Sequence, residues 1–428
     1  MKKVEIALLG LGNVGKGVWN ILKENKDEIR KRSGYDIEIA KILVRDKNKN
    51  RGIEIPEELI TTDYNEIIND ESIKIVVEVM GGIDPARDYI LQAMNNKKHV
   101  VTANKMLLAT YGDELGEAAD NKGVMLYYEA SVAGGIPIIQ TINESLTANK
   151  IEQVYGILNG TTNYILSNMD NVGMDFSDAL KEAQEKGYAE ADPTSDIESF
   201  DAAYKLAIIA SLAFGTKVKI DDVYREGITK ITATDIKYAK EFGYVIKLLG
   251  IVKEIEGKLE LRVHPTFVSR KHPLANVNDA FNAIFIKGNA VGELMLYGRG
   301  AGELPTGSAV VADIISIVRK GTDIEDYTTV KNNLWHKEIK SFDEVECKYY
   351  LRILVKDKPG VLGEITTALG RHDVSLRSVI QRGEEAEDVK LILITHKTRE
   401  ENIQSALKEI NQLETVSSVE NLIRIENL

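Results

Sequence analysis

One cysteine, Cys347, is all that 428 residues contain, so no internal disulfide framework can staple the chain. The six histidines are scattered, with no HxxxH spacing and no CxxC nearby. That excludes a transition-metal site and leaves oxygen ligands for any metal. No apolar run approaches the roughly 20 residues of a membrane span, and the opening MKKVEIALLGLGNVGKG is too charged and glycine-punctuated for a signal peptide. A soluble cytoplasmic protein is expected. Basic excess is missing too: a net charge of -12 with no basic stripe argues against nucleic acid, whose binding rests on phosphate neutralisation. What the chain does have, 43% hydrophobic and 28% charged residues, suffices for two or three domains, each with its own core. Small molecules are the expected ligands.

The first motif is VEIALL (Val4 to Leu9), then GLGNVG, then a segment in which Val18, Ile21, Leu22 and Ile29 recur at helical spacing. This reads as strand, tight turn and helix. Gly10, Gly12 and Gly15 fit the G-x-G-x-x-G dinucleotide fingerprint. The first glycine permits the turn, the second lets backbone amides approach a pyrophosphate, and the third allows close packing; Asn13 and Val14 open the helix facing the phosphates. The next strand, IEIAKILV, ends at Arg45, where an NAD-selective protein would usually place an acid for the ribose. Arg45 points to a 2′-phosphate and hence NADP, although Asp46 could serve the ribose. A third strand, IKIVVEVMGG, ends at Gly81, and HVVTANK sets Lys105 at the C-terminal end of a fourth, the ligand side of an open α/β sheet. Lys105 is therefore a site candidate, its bland alternative being a solvated loop lysine.

Farther on, Asn159, Gly160, Thr161, Thr162 and Asn163 form a polar knot between a strand and a helix, suited to anchoring a ligand or capping the helix. GYAEADPTSDIESFDAAYK follows, crowding Glu190, Asp192, Asp196, Glu198 and Asp201 ahead of Lys205. Asp201 and Lys205 are four residues apart, the spacing of a surface salt bridge, but they lead into FDAAYKLAIIASLAF, a strongly apolar helix. Strands KLELRVHPTFV and AFNAIFIKG then suggest a sheet apart from the nucleotide domain, and ELPTGSAVVADIISIVRK an amphipathic helix returning to it. After a polar connector the pattern restarts as βαββαβ, a ferredoxin-like unit without a catalytic constellation.

GLGNVGKG, TANK, EASVAGGIPI, LNGTTNYIL, GYAEADPTSDIESFDAAYK and GRGAGELPTGSAVVAD, in this order over about 1–320, resemble homoserine dehydrogenase. The tail, with DKPGVLG after its first strand, is similar to an ACT domain, a small amino-acid-sensing module. The resemblance implies an α/β protein of three parts. These are a Rossmann-type NAD(P)-binding domain over 1–135, completed by a helix near 305–320; an α+β catalytic and dimerisation domain over 136–304; and, beyond a connector at 321–346, a ferredoxin-like ACT domain over 347–428. It implies reversible NAD(P)H-dependent reduction of L-aspartate 4-semialdehyde to L-homoserine, on the route to threonine, isoleucine and methionine. Lys205 would be the proton donor and acceptor at the substrate oxygen, with Lys105 near the reacting end. Glu190 and Asp201 would bind substrate with Gly187 beside them, Asp196 orienting the lysine and Asn159 and Thr161 nearby. Gly302 would contact the cofactor, and the backbone of Glu129, Val132, Gly134 and Ile136 would hold a monovalent cation such as sodium. The family further implies a homodimer or higher homo-oligomer and feedback by an end product, most plausibly threonine. ACT ligand sites often place an asparagine or similar polar residue near the end of the first helix, where this chain has His372-Asp373.

The chemistry agrees with these roles. Hydride reaching an aldehyde carbon leaves negative charge on oxygen, which a positioned ammonium stabilises and protonates, while the substrate's α-ammonium needs carboxylates. Burial would lower the pKa of Lys205 and neighbouring acids would oppose that. Three rival readings remain: another amino-acid semialdehyde reductase, a non-catalytic NADP and amino-acid sensor, and an aspartate-semialdehyde dehydrogenase. The last needs a nucleophilic cysteine in its middle domain, and Cys347 lies beyond it; a sensor could lose Lys205 or Asp201, and both are present.

Overall fold

A computed structural model describes residues 2–321, 337–382 and 388–428, so most of the connector expected at 321–346 lies outside the described residues. The chain folds into two compact units. The first comprises the described residues of Met1–Glu152, Ala203–Asp222 and Asn282–His336, and the second those of Gln153–Ala202, Val223–Phe281 and Lys337–Leu428.

In the first unit, β1 (Lys2–Leu9), β2 (Tyr35–Leu43), β3 (Ile60–Thr61), β4 (Ile73–Glu78), β5 (His99–Thr102) and β6 (Leu126–Tyr127) form a parallel sheet in the order β3-β2-β1-β4-β5-β6. Val4, Ile6, Ala7, Leu8 and Leu9 are all buried, as expected of a parallel strand covered on both faces. The order reverses between β1 and β4, the switch point at which open α/β sheets bind ligands. One face is covered by helices Asn13–Glu24 and Glu303–Lys320, whose Val18, Leu22, Val310, Ile314 and Ile317 join Ile6, Leu8 and Val77 in one core. The two helices nearly touch backbone to backbone: a Cβ on Gly17 would stand 2.1 Å from the Glu303 carbonyl oxygen.

The remaining strands are β7 (Ile151–Ile157), β8 (Tyr224–Arg225), β9 (Tyr244–Ile255), β10 (Lys258–Ser269), β11 (Phe281–Gly288), β12 (Gly292–Arg299), β13 (Glu346–Lys356), β14 (Leu376–Arg382), β15 (Asp388–Thr395), β16 (Thr398–Arg399) and β17 (Val416–Glu426). In the second unit β7, β9, β10, β17, β13, β15 and β14 lie side by side in that order. β9 and β10 form a hairpin in register from Lys258 opposite Ile255 to Ser269 opposite Tyr244, and Glu256 and Gly257 turn its tip with φ of 54° and 82°. The tail adopts the expected βαββαβ order with the two-residue β16 added before its second helix, and helices Val361–Arg371 and Glu400–Ile410 pack on Tyr349, Leu351, Leu391 and Leu393. Cys347 lies in this core, and burial pushes its thiol up to about 11, away from nucleophilic use.

The tail sheet does not stand alone: β17 pairs in parallel with β10, Thr266 opposite Arg424 through Val268 opposite Glu426. Buried charges accompany the seam. Glu426 faces Arg262 of β10 at 2.6 Å and Lys253 of β9 at 2.6 Å. On the other side of the sheet order, Asp235 in helix Ala233–Glu241 accepts from Arg352 of β13 through Nε at 2.8 Å and Nη2 at 3.1 Å.

Candidate active site

At the end of β1 the chain turns at Gly10, whose φ of 102° lies in the region that favours glycine and whose amide donates to the Leu43 carbonyl. A Cβ on Gly15 would sit 2.4 Å from the Gly10 carbonyl oxygen, so the helix packs directly on the turn. At Gly12, by contrast, a Cβ would meet nothing within 4 Å. The cradle is thus open at the middle glycine. Gly12 caps helix Asn13–Glu24 without a side-chain bond, and no acid stands in the first turn, which leaves its amides suited to an anion. Arg45 follows β2 as an exposed residue, whereas Asp46 uses Oδ1 to accept from the Asn48 amide at 2.8 Å.

Glu78, which the sequence reading passes over, organises the far side of the switch point. Its Oε1 accepts from the Met80 and Gly81 amides at 2.8 and 3.2 Å, and its Oε2 from the Thr102 hydroxyl at 2.6 Å. Burial raises its pKa, against which these donors work. Asn104 caps helix Lys105–Lys122 by accepting from Leu107 and donates to the Gly82 carbonyl at 2.6 Å. Gly81 and Lys105 are therefore held at the C-terminal ends of neighbouring strands β4 and β5. Gly302, with φ of 123°, caps helix Glu303–Lys320.

The turn after β6 holds Glu129, Val132, Gly134 and Ile136. The Glu129 carboxylate is committed to the Ile139 and Gln140 amides at 2.8 and 2.7 Å, and its own amide donates to Asp313. Ala133 and Gly134 both have φ of 54° and the Gly135 amide donates to the Arg299 carbonyl, so the peptide oxygens of a tight turn, not carboxylates, are what this segment offers an ion. The Ile136 carbonyl already accepts from the Ile138 amide at 2.8 Å.

In the second unit the polar knot divides in two. Asn159 caps helix Gly160–Asn171 by accepting from the Thr162 amide at 2.8 Å, and its Nδ2 donates to Asp196 at 2.6 Å and Asp201 at 2.8 Å. One amide thus gathers two acids that the sequence separates from it. Thr161 donates to the Tyr188 carbonyl at 2.6 Å, fixing the chain beside Gly187. Glu190 is exposed, its backbone oxygen accepting from Gln184 at 3.1 Å, and no bond joins its carboxylate to the Asn159 group among those described. Asp201 and Lys205 stand one turn apart on helix Phe200–Phe214, 3% and 8% exposed, which is not the setting of a surface salt bridge.

Asn163, the other end of the knot, faces away from this group. It donates to the carbonyls of Val277, Asp279 and Phe281 and accepts from Lys247 Nζ at 3.1 Å. Burial lowers the Lys247 pKa from 10.5 to about 8. Between those values the unfolded chain binds the extra proton, so folded stability rises as pH increases from 8 to 10.5 and is lost as pH falls through 8. Lys247→Met is expected to lack this rise, on the order of 3 kcal/mol. Urea unfolding of both proteins at pH 8 and pH 10 measures it, and parallel pH dependence would refute it. A lysine inside the apolar run YVIKLLGIV was the available signal.

A glycine turn that opens a helix at the strand-order switch of a parallel sheet defines a dinucleotide-binding domain of the kind NAD(P)-dependent oxidoreductases use. The model described as "Homoserine dehydrogenase, NAD binding domain" matches residues 10–129, that described as "Homoserine dehydrogenase" matches 137–315, and that described as "ACT domain" matches 349–415. The chain is 45% identical over 431 residues to a homoserine dehydrogenase of Synechocystis sp., covering 99% of each, and 40% identical to that of Bacillus subtilis, covering 100% of this chain and 99% of the relative. The crystal structure of a homoserine dehydrogenase from Thiobacillus denitrificans superposes with a TM-score of 0.94 at 45% identity, covering 100% of this chain and 99% of that one. The chain belongs to the homoserine dehydrogenase family. Among the described residues no helix is long and apolar enough to cross a membrane.

Proposed function

We propose that the chain reduces L-aspartate 4-semialdehyde reversibly to L-homoserine in the cytoplasm, with the nicotinamide domain at 1–135 and 305–320, the substrate domain at 136–304, the connector at 321–346 and the regulatory module at 347–428. The observation that carries this reading is the pairing of Asp201 with Asn159 one turn before a nearly buried Lys205. When bound, the cofactor supplies or accepts the hydride at the substrate carbon. Lys205 stabilises the developing oxyanion and passes it a proton, with Lys105 near the same end. Asp201 and Glu190 receive the α-ammonium; Asn159 holds Asp201 in place, Thr161 holds the segment beside Gly187, and Asp196 helps to orient the lysine.

The open Gly12 cradle, with Gly10, Asn13, Val14 and Gly15, fits a pyrophosphate; Gly81, Lys105 and Gly302 border the rest of the cofactor. NADP is the favoured form, because Arg45 is exposed and Asp46 is engaged by Asn48. Carbonyl oxygens of Glu129, Val132, Gly134 and Ile136 are a neutral, hard donor set suited to a monovalent cation such as sodium. Threonine is the proposed effector of the tail, in a homodimer or higher oligomer. Its site differs from one built on a helix-end asparagine, since His372 is paired with Glu409 at 2.9 Å.

Following NADPH absorbance with aspartate semialdehyde, with and without threonine, tests the proposal. No oxidation would favour the sensor reading, and an unchanged rate would dismiss threonine. Asp201→Ala is expected to raise the homoserine KM by roughly 10–100-fold, the worth of a charge-assisted bond. An unchanged KM and kcat would return Asp201 to a structural role.

A further inference from the structure

The acid pair sits at the end of a chain of contacts that begins in the tail. Arg424 of β17 is 1% exposed. It donates to both oxygens of Glu400, at 2.9 and 2.6 Å, and through Nη1 to Glu226 at 2.7 Å. Glu226 is fixed on its other side by its amide, which donates to the Val263 carbonyl of β10 at 2.8 Å. Its own carbonyl accepts from the Ser199 hydroxyl at 2.9 Å.

Residues 226–228 are zipped along residues 197–199. The Ile228 amide donates to the Ile197 carbonyl at 2.9 Å, and a Cβ on Gly227 would lie 2.5 Å from that same oxygen. Ser199 is fully buried and has φ of 68°, a conformation a non-glycine residue holds only when its surroundings impose it. Its amide donates to the Asp196 carbonyl at 3.0 Å. Asp196 and Asp201, on either side of this kink, are the two acids that share Asn159. The kink thus lies between the two acids, and the Glu226 backbone carbonyl is one of the groups that hold it.

We infer that Glu226 and Arg424 are positioning residues for substrate binding: through Ser199, strand β17 holds the 196–201 loop in the form in which Asp196 and Asp201 converge on Asn159. The inference deepens the proposed function and rests on its assignment of Asp201 to the substrate ammonium. The loop carries both Asp201, assigned to the substrate ammonium, and Asp196, assigned to orienting Lys205, so the effect falls chiefly on substrate affinity and to a smaller extent on kcat. Any effector that shifts β17 has a route to the substrate through these contacts.

The test uses the full chain and the variants Glu226→Ala, Glu226→Gln, Ser199→Ala and Arg424→Lys. Glu226→Ala and Ser199→Ala are expected to raise the homoserine KM roughly three- to tenfold and to lower kcat by less than that, leaving the NADP KM unchanged, with Glu226→Gln recovering part of the loss. The variant combining Glu226→Ala with Ser199→Ala should be no worse than the poorer single one, because both break one chain of contacts. Arg424 is buried, so Arg424→Lys can fail to fold. The Glu226 side chain is 27% exposed, and Arg424 keeps Glu400 without it, so the Glu226 variants keep the test open. Hydrogen exchange supplies a readout independent of substrate identity: amides of 197–201 should exchange faster in Glu226→Ala. Unchanged protection there overturns the inference even if the wild-type protein proves inactive on homoserine, as does an equal rise in both KM values.

Discussion

Lys205→Ala is expected to lower kcat by about 10²–10⁴-fold, the usual worth of a positioned acid–base group, while the NADP KM stays where it is. The size of the effect follows from where the lysine stands. Helix Phe200–Phe214 is apolar along nearly its whole length, and Lys205 is 8% exposed, so water is poorly placed to replace the ammonium. An oxyanion formed in such a place gains more from a fixed cation than it would in solvent. Asp201, one turn earlier, is fastened to Asn159 and belongs to the other end of the substrate, so the two losses separate: Asp201→Ala acts through KM and Lys205→Ala through kcat. Steady-state rates in both directions check this. A Lys205→Ala enzyme with a kcat close to wild type would remove the lysine from the chemistry.

Asp235→Ala is expected to cost about 3–5 kcal/mol, the penalty for leaving a buried cation without its partner. Against a typical total of roughly 5–15 kcal/mol, that is a large share. The Asp235 carboxylate is fully buried and collects Arg352 Nε and Nη2, the Tyr350 hydroxyl at 3.0 Å, Asn421 Nδ2 at 3.0 Å, and the amide and hydroxyl of Thr232. It closes the capping box of helix Ala233–Glu241 and at the same time ties that helix to β13 and β17. Urea unfolding measures the loss. A cost under about 1 kcal/mol would mean that Glu420, already 3.1 Å from Arg352 Nη1, takes over the charge.

What could be read from sequence was whatever announces itself locally. The glycine turn, the alternation of apolar strands with helical spacing and the βαββαβ tail each occupy one contiguous stretch, and their periods survive without knowledge of partners. The buried polar groups do not. Glu78 looks like an interruption in IKIVVEV, and its purpose appears only once Thr102 and the Gly81 turn stand beside it. Asp313 lies in an amphipathic helix, yet it accepts from the Glu129 amide 184 residues away, and burial pushes its carboxyl up to about 8. Asn159 was legible as a cap or an anchor but not as both, because the acids that settle its second role arrive 37 and 42 residues later. Strand β9 carries a lysine and a glycine inside its apolar run, which blurs its period, and nothing in β10 or β17 names the other as neighbour.

That last pairing has a consequence for how the chain is made. A ribosome delivers β10, ending at Ser269, long before β17, which begins at Val416. Throughout that interval the Thr266–Val268 stretch of β10 lacks its neighbour, and Arg262 waits without Glu426. Such an open margin is where foreign strands attach. The tail is therefore the nascent chain's late closure, and ribosome-stalled lengths ending before β17 are where chaperone dependence should be greatest.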